Sequence, residues 1–252
     1  MLTKKELLDY KTWPNRYQVE KDYLQYLVLL EIFKRSKENL VFKGGTALQK
    51  CFGLDRFSED LDFTANSLDE IKKVEEALKS ITKTYNASFQ KNENDLSASF
   101  NLKIAGPLFE KPQSMQTIII EINKREKVLV NPLLIRLIPK YRDLEAQLAV
   151  VMDKDEILAE KTRALLTRRR PRDLYDAYFL LNKGAKIDFG LINKKLEYYS
   201  KRFDLSILTS RINDLKSEWG KELSILMEHY PNFQEIAEFV LESFRNAWKA
   251  TL

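Results

Sequence analysis

The sequence predicts an α+β protein, with a mixed-sheet domain over residues 1–152 and an all-helical domain over residues 153–252 packed against it. Strand-like alternation of apolar and polar residues recurs in the first half, most clearly over 96–104. Beyond Asp153, apolar residues recur at helical spacing instead. The chain has only 7 glycines and 7 prolines in 252 residues, so we expect few breaks inside elements and no flexible linker between the domains.

The first half begins with a helix predicted over 17–37, where apolar residues recur every three or four positions. A short buried strand over 40–42 stops at two glycines, and a short helix over 46–52 ends before Gly53. The other elements predicted in this half are strands at 57–65, 87–90, 96–104 and 116–123 and a helix at 67–82.

The second half consists of predicted helices. Asp153 followed by Glu156 is a capping pair that opens a helix reaching Arg168. Pro171 favours the start of the next helix, which runs to Asn182. Three further helical stretches are predicted at 191–202, at 205–230 with a break near 219–220, and at 233–249.

Charge and cysteine content limit the class of protein. The formal net charge of +5 permits a polyanionic partner without establishing one. Cys51 is the only cysteine, so an internal disulfide is excluded and a reducing compartment is indicated. No apolar stretch has the pattern of a secretory signal or the length of a membrane span. We therefore expect a soluble, cytoplasmic protein with no membrane partner.

Two aspartates carry the strongest chemical signal. In the predicted strand over 57–65, Asp60 and Asp62 are two residues apart and should project from one face, while Leu61 and Phe63 enter the core. Adjacent carboxylates repel each other unless they share a proton or a cation, and such hard oxygen ligands suit Mg²⁺. The alternative is an acidic patch on a solvated strand.

Upstream of the aspartates, Lys43-Gly44-Gly45-Thr46 lies between a strand and a helix. Two glycines allow close approach of the backbone to a ligand, and the helix N-terminus favours a phosphate, to which Thr46 could add its hydroxyl. The alternative is a plain tight turn with Thr46 as the helix N-cap. The segment is not a Walker A loop, because the Gly-Lys-Ser/Thr order is absent.

Glu121 is a candidate third acid. It stands in an apolar strand, on the face opposite Ile118, Ile120 and Ile122. A charge in such a strand is costly unless it is paired or bound to metal, so a metal ligand and a salt bridge to a nearby lysine or arginine are both open.

Gly44-Gly45-Thr46 followed by Ser-Glu-Asp-Leu-Asp-Phe at 58–63 resembles the nucleotidyltransferase signature of the polymerase-β-like superfamily. It is more similar to the AbiEii/AbiGii toxin family, also called MenT-like nucleotidyltransferases. Glu-Lys-Thr-Arg-Ala-Leu at 160–165 resembles that family's lysine-bearing helix. Arg168 with Pro-Arg-Asp-Leu-Tyr-Asp at 171–176 resembles its arginine–aspartate motif. The resemblance extends from the first predicted helix to Leu181.

The resemblance implies transfer of a nucleoside monophosphate from an NTP with release of pyrophosphate, and it assigns roles to the matching residues. The implied ligands of Mg²⁺ are Asp60, Asp62 and Glu121. The implied NTP-binding residues are Lys43, Gly44, Gly45, Thr46, Ser58 and Lys161. The implied catalytic residues are Asp60, Asp62, Glu121, Lys161, Asp173 and Asp176, and which of the last two is the family's functional aspartate stays open.

Two of these assignments have structural alternatives. Lys161 could be a surface lysine paired with Glu160 or Glu156. Arg172 and Asp173 could form a structural ion pair between helices.

The resemblance also implies partners. Members of the family add nucleotides to tRNA ends, so the resemblance implies an RNA acceptor, expected to be tRNA, and an antitoxin encoded elsewhere. The candidate contacts to the RNA are Arg168, Arg169, Arg170 and Arg172. The alternative for these arginines is a solvated turn between two helices. Two other functions stay open: a nucleotidyltransferase acting on a small molecule such as an antibiotic, and a non-catalytic RNA- or protein-binding module.

Overall fold

The structure, a computed structural model, describes residues 1–36 and 38–250. Within these residues it contains one seven-stranded mixed sheet and ten α-helices, and beyond Asp153 all regular elements are helical, which confirms the predicted α+β class. The strands are β1 Leu40–Lys43, β2 Leu61–Ala65, β3 Ala87–Glu93, β4 Ser97–Ile104, β5 Gln116–Asn123, β6 Leu133–Leu137 and β7 Gln147–Val151. The helices are α1 Lys4–Leu8, α2 Arg16–Phe33, α3 Gly44–Ala47, α4 Leu68–Thr84, α5 Lys154–Thr167, α6 Pro171–Asn182, α7 Phe189–Glu197, α8 Leu205–Asn213, α9 Trp219–Leu226 and α10 Phe233–Lys249.

The chain divides into two compact units, each built from discontinuous segments. The first unit carries the whole sheet and consists of Met1–Gly53, Phe57–Val128 and Pro132–Val151. The second unit carries α5 to α10 and consists of Leu54–Arg56, Leu129–Asn131 and Met152–Leu252. Two three-residue segments from the sheet half of the sequence thus belong to the helical unit.

The sheet of the first unit has the strand order β3-β4-β5-β2-β1-β7-β6. β2 pairs antiparallel with β1 and parallel with β5, so it lies near the centre of the sheet. In this register Asp62 has Lys43 on one side and Glu121 on the other. Directly paired residues of neighbouring strands project from the same face. The three charged residues therefore form a row on one face of the sheet.

The opposite face of the sheet carries the core of the first unit. Buried apolar residues of β1, β2, β4 and β5 pack with α2 and α4. The Asn15 side chain accepts a hydrogen bond from the Tyr17 backbone N–H at the start of α2. At the start of α4, the Ser67 side chain accepts one from the Asp69 backbone N–H. These caps stabilise the ends of the two helices that cover the core.

The second unit begins at α5, which Asp153 caps by accepting a hydrogen bond from the backbone N–H of Asp155. Pro171 occupies the first turn of α6, where the missing N–H has no intrahelical partner to lose. Aromatic residues of α7 and α10 then meet in one cluster, in which Phe189 contacts Phe244 and Trp248. Within residues 1–36 and 38–250, no helix has both the length and the apolar character that crossing a membrane requires.

Several predicted boundaries differ from those of the structure. The helix predicted over 17–37 ends at Phe33, and Lys37 lies outside the described residues. The strand predicted over 57–65 begins only at Leu61, because β1 is four residues long and ends opposite Asp62. The helices predicted at 191–202 and 205–230 are shorter: the first is α7, and the second is divided into α8 and α9.

Three elements were not predicted. β6 and β7 are short, and their Leu-Leu-Ile-Arg-Leu and Gln-Leu-Ala-Val-Val sequences lack clean alternation. β7 is fixed by parallel pairing with β1, in which Phe42 lies opposite Val151, a contact between distant parts of the chain. α1 has only five residues and depends on a capping box between Thr3 and Glu6.

Candidate active site

Gly44 lies directly against the carboxylate of Asp62. It has a φ of +75°, and a Cβ built on it would be 2.3 Å from Oδ2 of Asp62 and 2.9 Å from its Cγ. Glycine is therefore favoured at this position for two reasons, the positive φ and the close approach of the Asp62 carboxylate. The double-glycine segment and the aspartate pair, 18 positions apart in sequence, meet at this point.

Thr46 ties the same segment to Asp60. Its side chain is fully buried, and Oγ1 donates a hydrogen bond of 2.5 Å to the backbone carbonyl of Asp60. The hydroxyl hydrogen is thus directed at the protein backbone. The N-cap of α3 is Lys43, so the alternative that Thr46 caps this helix is wrong.

The predicted short helix after the glycines is present and has an unusual end. α3 covers Gly44–Ala47 and continues as one turn of π-helix over Leu48–Phe52. Gly53 then ends the helix in the left-handed conformation, with a φ of +81°. Lys50 within this turn pairs with Asp22 of α2 at 2.8 Å, and both side chains are buried. The turn is thereby anchored on α2.

The three predicted metal ligands lie on one side of the sheet at different depths. Asp60 precedes β2, and both Asp60 and Asp62 are half-buried. Glu121 is exposed, as its alternation with buried Ile118, Ile120 and Ile122 predicts. Among the described residues, no lysine or arginine forms an ion pair with Glu121, so the proposed salt bridge is absent there.

Carboxylate oxygens next to a glycine without a Cβ fit a hard divalent cation such as Mg²⁺. Within the described parts of the chain, however, no three acidic, histidine or cysteine side chains are already gathered as a metal cluster. Two further predicted NTP contacts belong to the same unit: Lys43 is buried at the end of β1, and Ser58 is half-buried just before Asp60.

In the second unit, Lys161 lies at the centre of a buried ion cluster. Its Nζ is 3.0 Å from Oδ1 of Asp173 and 2.6 Å from Oδ2 of Asp176, and both aspartates are fully buried. The guanidinium of Arg56 holds Asp176 through two hydrogen bonds of 2.6 Å, and Arg168 holds Asp173 through bonds of 2.8 and 3.0 Å. The family-like lysine, arginine and aspartate motifs therefore converge on one network of five side chains.

Electrostatics within this cluster favour the charged forms. Burial alone would raise the pKa of Asp176, but the adjacent Arg56 and Lys161 lower it below its usual value. The pKa of Asp173 is likewise lowered, since Lys161 and Arg168 outweigh its burial. Burial works to lower the pKa of Lys161, yet attraction to Asp176 and Asp173 raises it overall.

The structural alternative for Lys161 is wrong. Lys161 is buried and pairs with aspartates of α6, whereas Glu156 and Glu160 pair with Lys195 of α7 at 2.6 and 3.1 Å. The proposed Arg172–Asp173 pair is also wrong, because Arg172 pairs with Glu222 at 3.4 Å and Asp173 pairs with Lys161.

The four predicted RNA contacts do not form one uniform patch. Arg168, Arg169 and Arg170 lie between α5 and α6 and are exposed, as expected for a solvated turn, while Arg172 is half-buried in α6. Arg168 is bound to Asp173, and Arg169 pairs with Asp214 at 3.1 Å. The positive charge of the segment is thus partly balanced by neighbouring acids.

Two residues that contact the lysine cluster or the segment before Asp60 were not predicted from the sequence. Arg56 holds Asp176 although 120 residues separate them. Gln25, in the middle of α2, donates hydrogen bonds to the backbone carbonyls of Ser58 and Glu59. The only signal for Arg56 was its position four residues before Asp60, and Gln25 had no signal beyond being a polar residue in an apolar helix.

Comparison with known proteins identifies similar folds and the family of this chain. A comparison with curated proteins finds no match. Among solved structures, the fold is similar to MenT4, a nucleotidyltransferase toxin from Mycobacterium tuberculosis H37Rv, with a TM-score of 0.65 and 20% identity over 97% of this chain and 89% of that one. It is also similar to JHP933 from Helicobacter pylori, with a TM-score of 0.58 and 19% identity over 93% and 94% of the two chains.

A putative nucleotidyltransferase from H. pylori gives a TM-score of 0.56 at 19% identity, covering 92% of this chain and 95% of that chain. At these identities the likeness concerns the fold. The family is shown by sequence: residues 28–250 match the profile described as nucleotidyl transferase AbiEii toxin, type IV toxin–antitoxin system. That match includes the glycine segment, the aspartate pair and the lysine and arginine–aspartate motifs, so this chain belongs to the AbiEii family of nucleotidyltransferase toxins.

Proposed function

We propose that this protein transfers a nucleoside monophosphate from an NTP to an RNA acceptor, with tRNA as the expected substrate, in a Mg²⁺-dependent reaction. The observation that carries the proposal is the position of the Asp62 carboxylate against Gly44. It joins a segment suited to close approach by phosphates with a carboxylate suited to a divalent cation, as such a reaction requires. An antitoxin encoded elsewhere, the expected partner for this family, would control the activity in the cytoplasm.

Asp60, Asp62 and Glu121 would hold the cation. Mg²⁺, when bound, would neutralise charge on the phosphates and stabilise the attacking and leaving oxygens. The acceptor hydroxyl oxygen forms a bond to the α-phosphorus while the bond from that phosphorus to the bridging oxygen breaks, and pyrophosphate leaves. Glu121, exposed beside Asp62, is suited to accept the proton of the acceptor hydroxyl.

The remaining residues would bind and orient the NTP. Gly44 and Gly45 present backbone without side chains to the phosphates, and Lys43 and Ser58 flank them in the first unit. Lys161 is the proposed triphosphate ligand, and Asp173 and Asp176 fix its ammonium group. Because both aspartates contact Lys161, we assign both to its positioning.

Labelled NTPs test this function directly. The protein, with Mg²⁺ and total RNA, should incorporate label from at least one NTP into RNA, and an Asp60→Asn variant should not. Lys161→Met should weaken NTP binding measured by calorimetry. Absence of label in any product from the wild-type protein, with all four NTPs, would favour the binding-module alternative.

A small-molecule acceptor is the second candidate function. It is favoured by one observation: Arg168, Arg169 and Arg172 each pair with an acid, which reduces the charge available to RNA. An Arg169→Ala/Arg170→Ala double variant distinguishes the two. If RNA is the acceptor, this variant should bind RNA more weakly and with a smaller salt dependence, while Arg245→Ala, which removes an exposed arginine of α10, should not. Label in a small molecule and none in RNA would support the second candidate.

A further inference from the structure

We propose that Gln25 is a positioning residue for the metal-binding aspartates, acting by holding the backbone that leads into Asp60. The inference rests on the proposed function, since it concerns the same aspartates. Both hydrogen bonds that the Gln25 side chain donates go to the peptide carbonyls that precede Asp60. It would therefore act through the main chain.

The contacts of Gln25 use both hydrogens of its side-chain amide. Nε2 is 2.9 Å from the carbonyl oxygen of Ser58 and 2.8 Å from that of Glu59. Gln25 is fully buried in the middle of α2. Because both partners are acceptors, only the NH₂ group can face them, which fixes the orientation of the amide.

Thr46 completes the arrangement from the other side of the segment. Its hydroxyl donates to the carbonyl of Asp60 at 2.5 Å. Three successive carbonyls, at Ser58, Glu59 and Asp60, thus each accept a hydrogen bond from a side chain. Leu61 is the first residue of β2, so these bonds hold the backbone immediately before the strand.

The arrangement carries a cost in stability. Oε1 of Gln25 is buried and, within the described residues, has no hydrogen-bond partner. A buried acceptor without a partner carries a desolvation penalty that an apolar residue at this place in α2 would avoid. The two hydrogen bonds that Gln25 donates therefore explain a buried amide at this position better than packing of the helix does.

The role predicts which parameters change. Without its donors, the Ser58–Asp60 backbone would sample more conformations, and the Asp60 carboxylate with it. Loss of a group that orients a metal ligand typically weakens metal binding or activity by about 10–100-fold. The hydrogen bonds of Gln25 go to the Ser58 and Glu59 carbonyls and not to Gly44 or Gly45, so the KM for NTP at saturating Mg²⁺ should change much less than kcat and the metal affinity.

Three variants separate positioning from structural loss. Gln25→Met keeps the length of the side chain without donors, and Gln25→Glu keeps its shape but offers only acceptors when ionised. Tyr23→Phe is the matched control: Tyr23 is buried in the same helix, and its hydroxyl bonds to Leu2 and Asp143 and not to the Ser58–Asp60 segment. Thr46→Val removes the third donor and provides a second test if the Gln25 variants fail to fold.

Two readouts independent of turnover apply to the full chain. Hydrogen exchange of the amides over residues 58–63 should accelerate in Gln25→Met and Thr46→Val but not in Tyr23→Phe. Mn²⁺ binding, followed by the electron paramagnetic resonance signal of the free ion with a non-hydrolysable NTP analogue, should weaken by about 10-fold or more in the same variants.

An unchanged rate of amide hydrogen exchange over residues 58–63 in Gln25→Met would show that Gln25 does not hold this backbone. Faster exchange with an unchanged Mn²⁺ affinity would show that holding the backbone does not position the metal ligands. Failure of the proposed function has a different signature. The wild-type protein would then label no acceptor, while Mn²⁺ binding still decreased in Asp60→Asn and Gln25→Met.

Discussion

The aspartate pair of the first unit and the lysine cluster of the second unit differ in burial and in the contacts that fix their positions. Asp60 and Asp62 are half-buried, and their positions are set through the backbone, by Gly44, Thr46 and Gln25. Lys161 and its two aspartates are buried and are held by direct contact between opposite charges. The aspartates of the first unit are partly exposed to solvent, whereas those of the second unit are fully buried among opposite charges. Substitutions should therefore act mainly on activity at the first place, and on stability as well as NTP binding at the second.

The largest effect is expected in the lysine cluster. Asp176→Asn removes the buried carboxylate that Arg56 and Lys161 share, so the free energy of unfolding should fall by about 3–5 kcal/mol. Denaturant titration measures this loss. Asp214→Asn, which disrupts only the exposed pair with Arg169, should cost less than about 1 kcal/mol. Equal costs for the two variants would remove the contrast between buried and exposed charges.

A smaller effect, and one of a different kind, is expected at the aspartate pair. Loss of an outer-shell partner of a metal ligand reduces activity by up to about 100-fold. Asp62 is a proposed direct ligand, so Asp62→Asn should reduce nucleotidyl transfer by more than about 100-fold. Its free energy of unfolding should fall by less than that of Asp176→Asn, because Asp62 is half-buried whereas Asp176 is fully buried. Activity assays and denaturant titration of the same preparation test both parts, and a strongly destabilised Asp62→Asn would break the proposed comparison.

Two glycines sharpen the comparison within the first unit. Gly44 and Gly53 both have positive φ, so replacing either with alanine should cost about 1–2 kcal/mol through backbone strain. Only at Gly44 would the new Cβ collide with Asp62, since nothing lies within 4 Å of a Cβ at Gly53. Gly44→Ala should therefore also abolish transfer, while Gly53→Ala should retain activity at temperatures where it is folded. Equal activities would indicate that the approach of Gly44 to Asp62 is unimportant.

The smallest effect is a pH dependence of the second unit. The folded-state pKa of Asp176 lies below its ordinary value of 3.8, so the unfolded chain binds more protons as the pH falls past that value. The stabilisation is present above pH 3.8 and is lost as the pH falls toward the folded pKa, by at most about 1.4 kcal/mol per pH unit for one carboxylate. Unfolding titrations between pH 5 and about 3 should show a shallower decline for Asp176→Asn than for the wild-type protein. Parallel curves would argue against a strongly paired Asp176.

Local patterns predicted the aspartate face well. Alternation placed Glu121 opposite three isoleucines, and the structure has that arrangement. The fold class and the family followed from such patterns and from short motifs. The role of each site residue stays a prediction, because geometry alone does not assign chemistry.

What the sequence left undetermined depends on contacts between distant residues. Lys161 lies in the predicted helix, but its partners could not be chosen among Glu156, Glu160 and the aspartates of α6 without knowing which face of α5 meets which neighbour. Arg56 and Asp176 are 120 residues apart, and no local pattern links them. β6 and β7 likewise exist because β7 pairs with β1, not because of their own composition.

The interleaved boundaries of the two units have a consequence for protein engineering. A helical fragment that starts at Met152 would lack Arg56, the bidentate partner of Asp176. It would also lack the backbone N–H groups of Leu129 and Val130, which bind the buried carboxylate of Glu156 at 2.8 to 3.0 Å. Expression of the two halves as separate polypeptides should therefore give a poorly folded helical fragment, whereas adding back the 54–56 and 129–131 peptides by circular permutation or splicing would restore its missing donors.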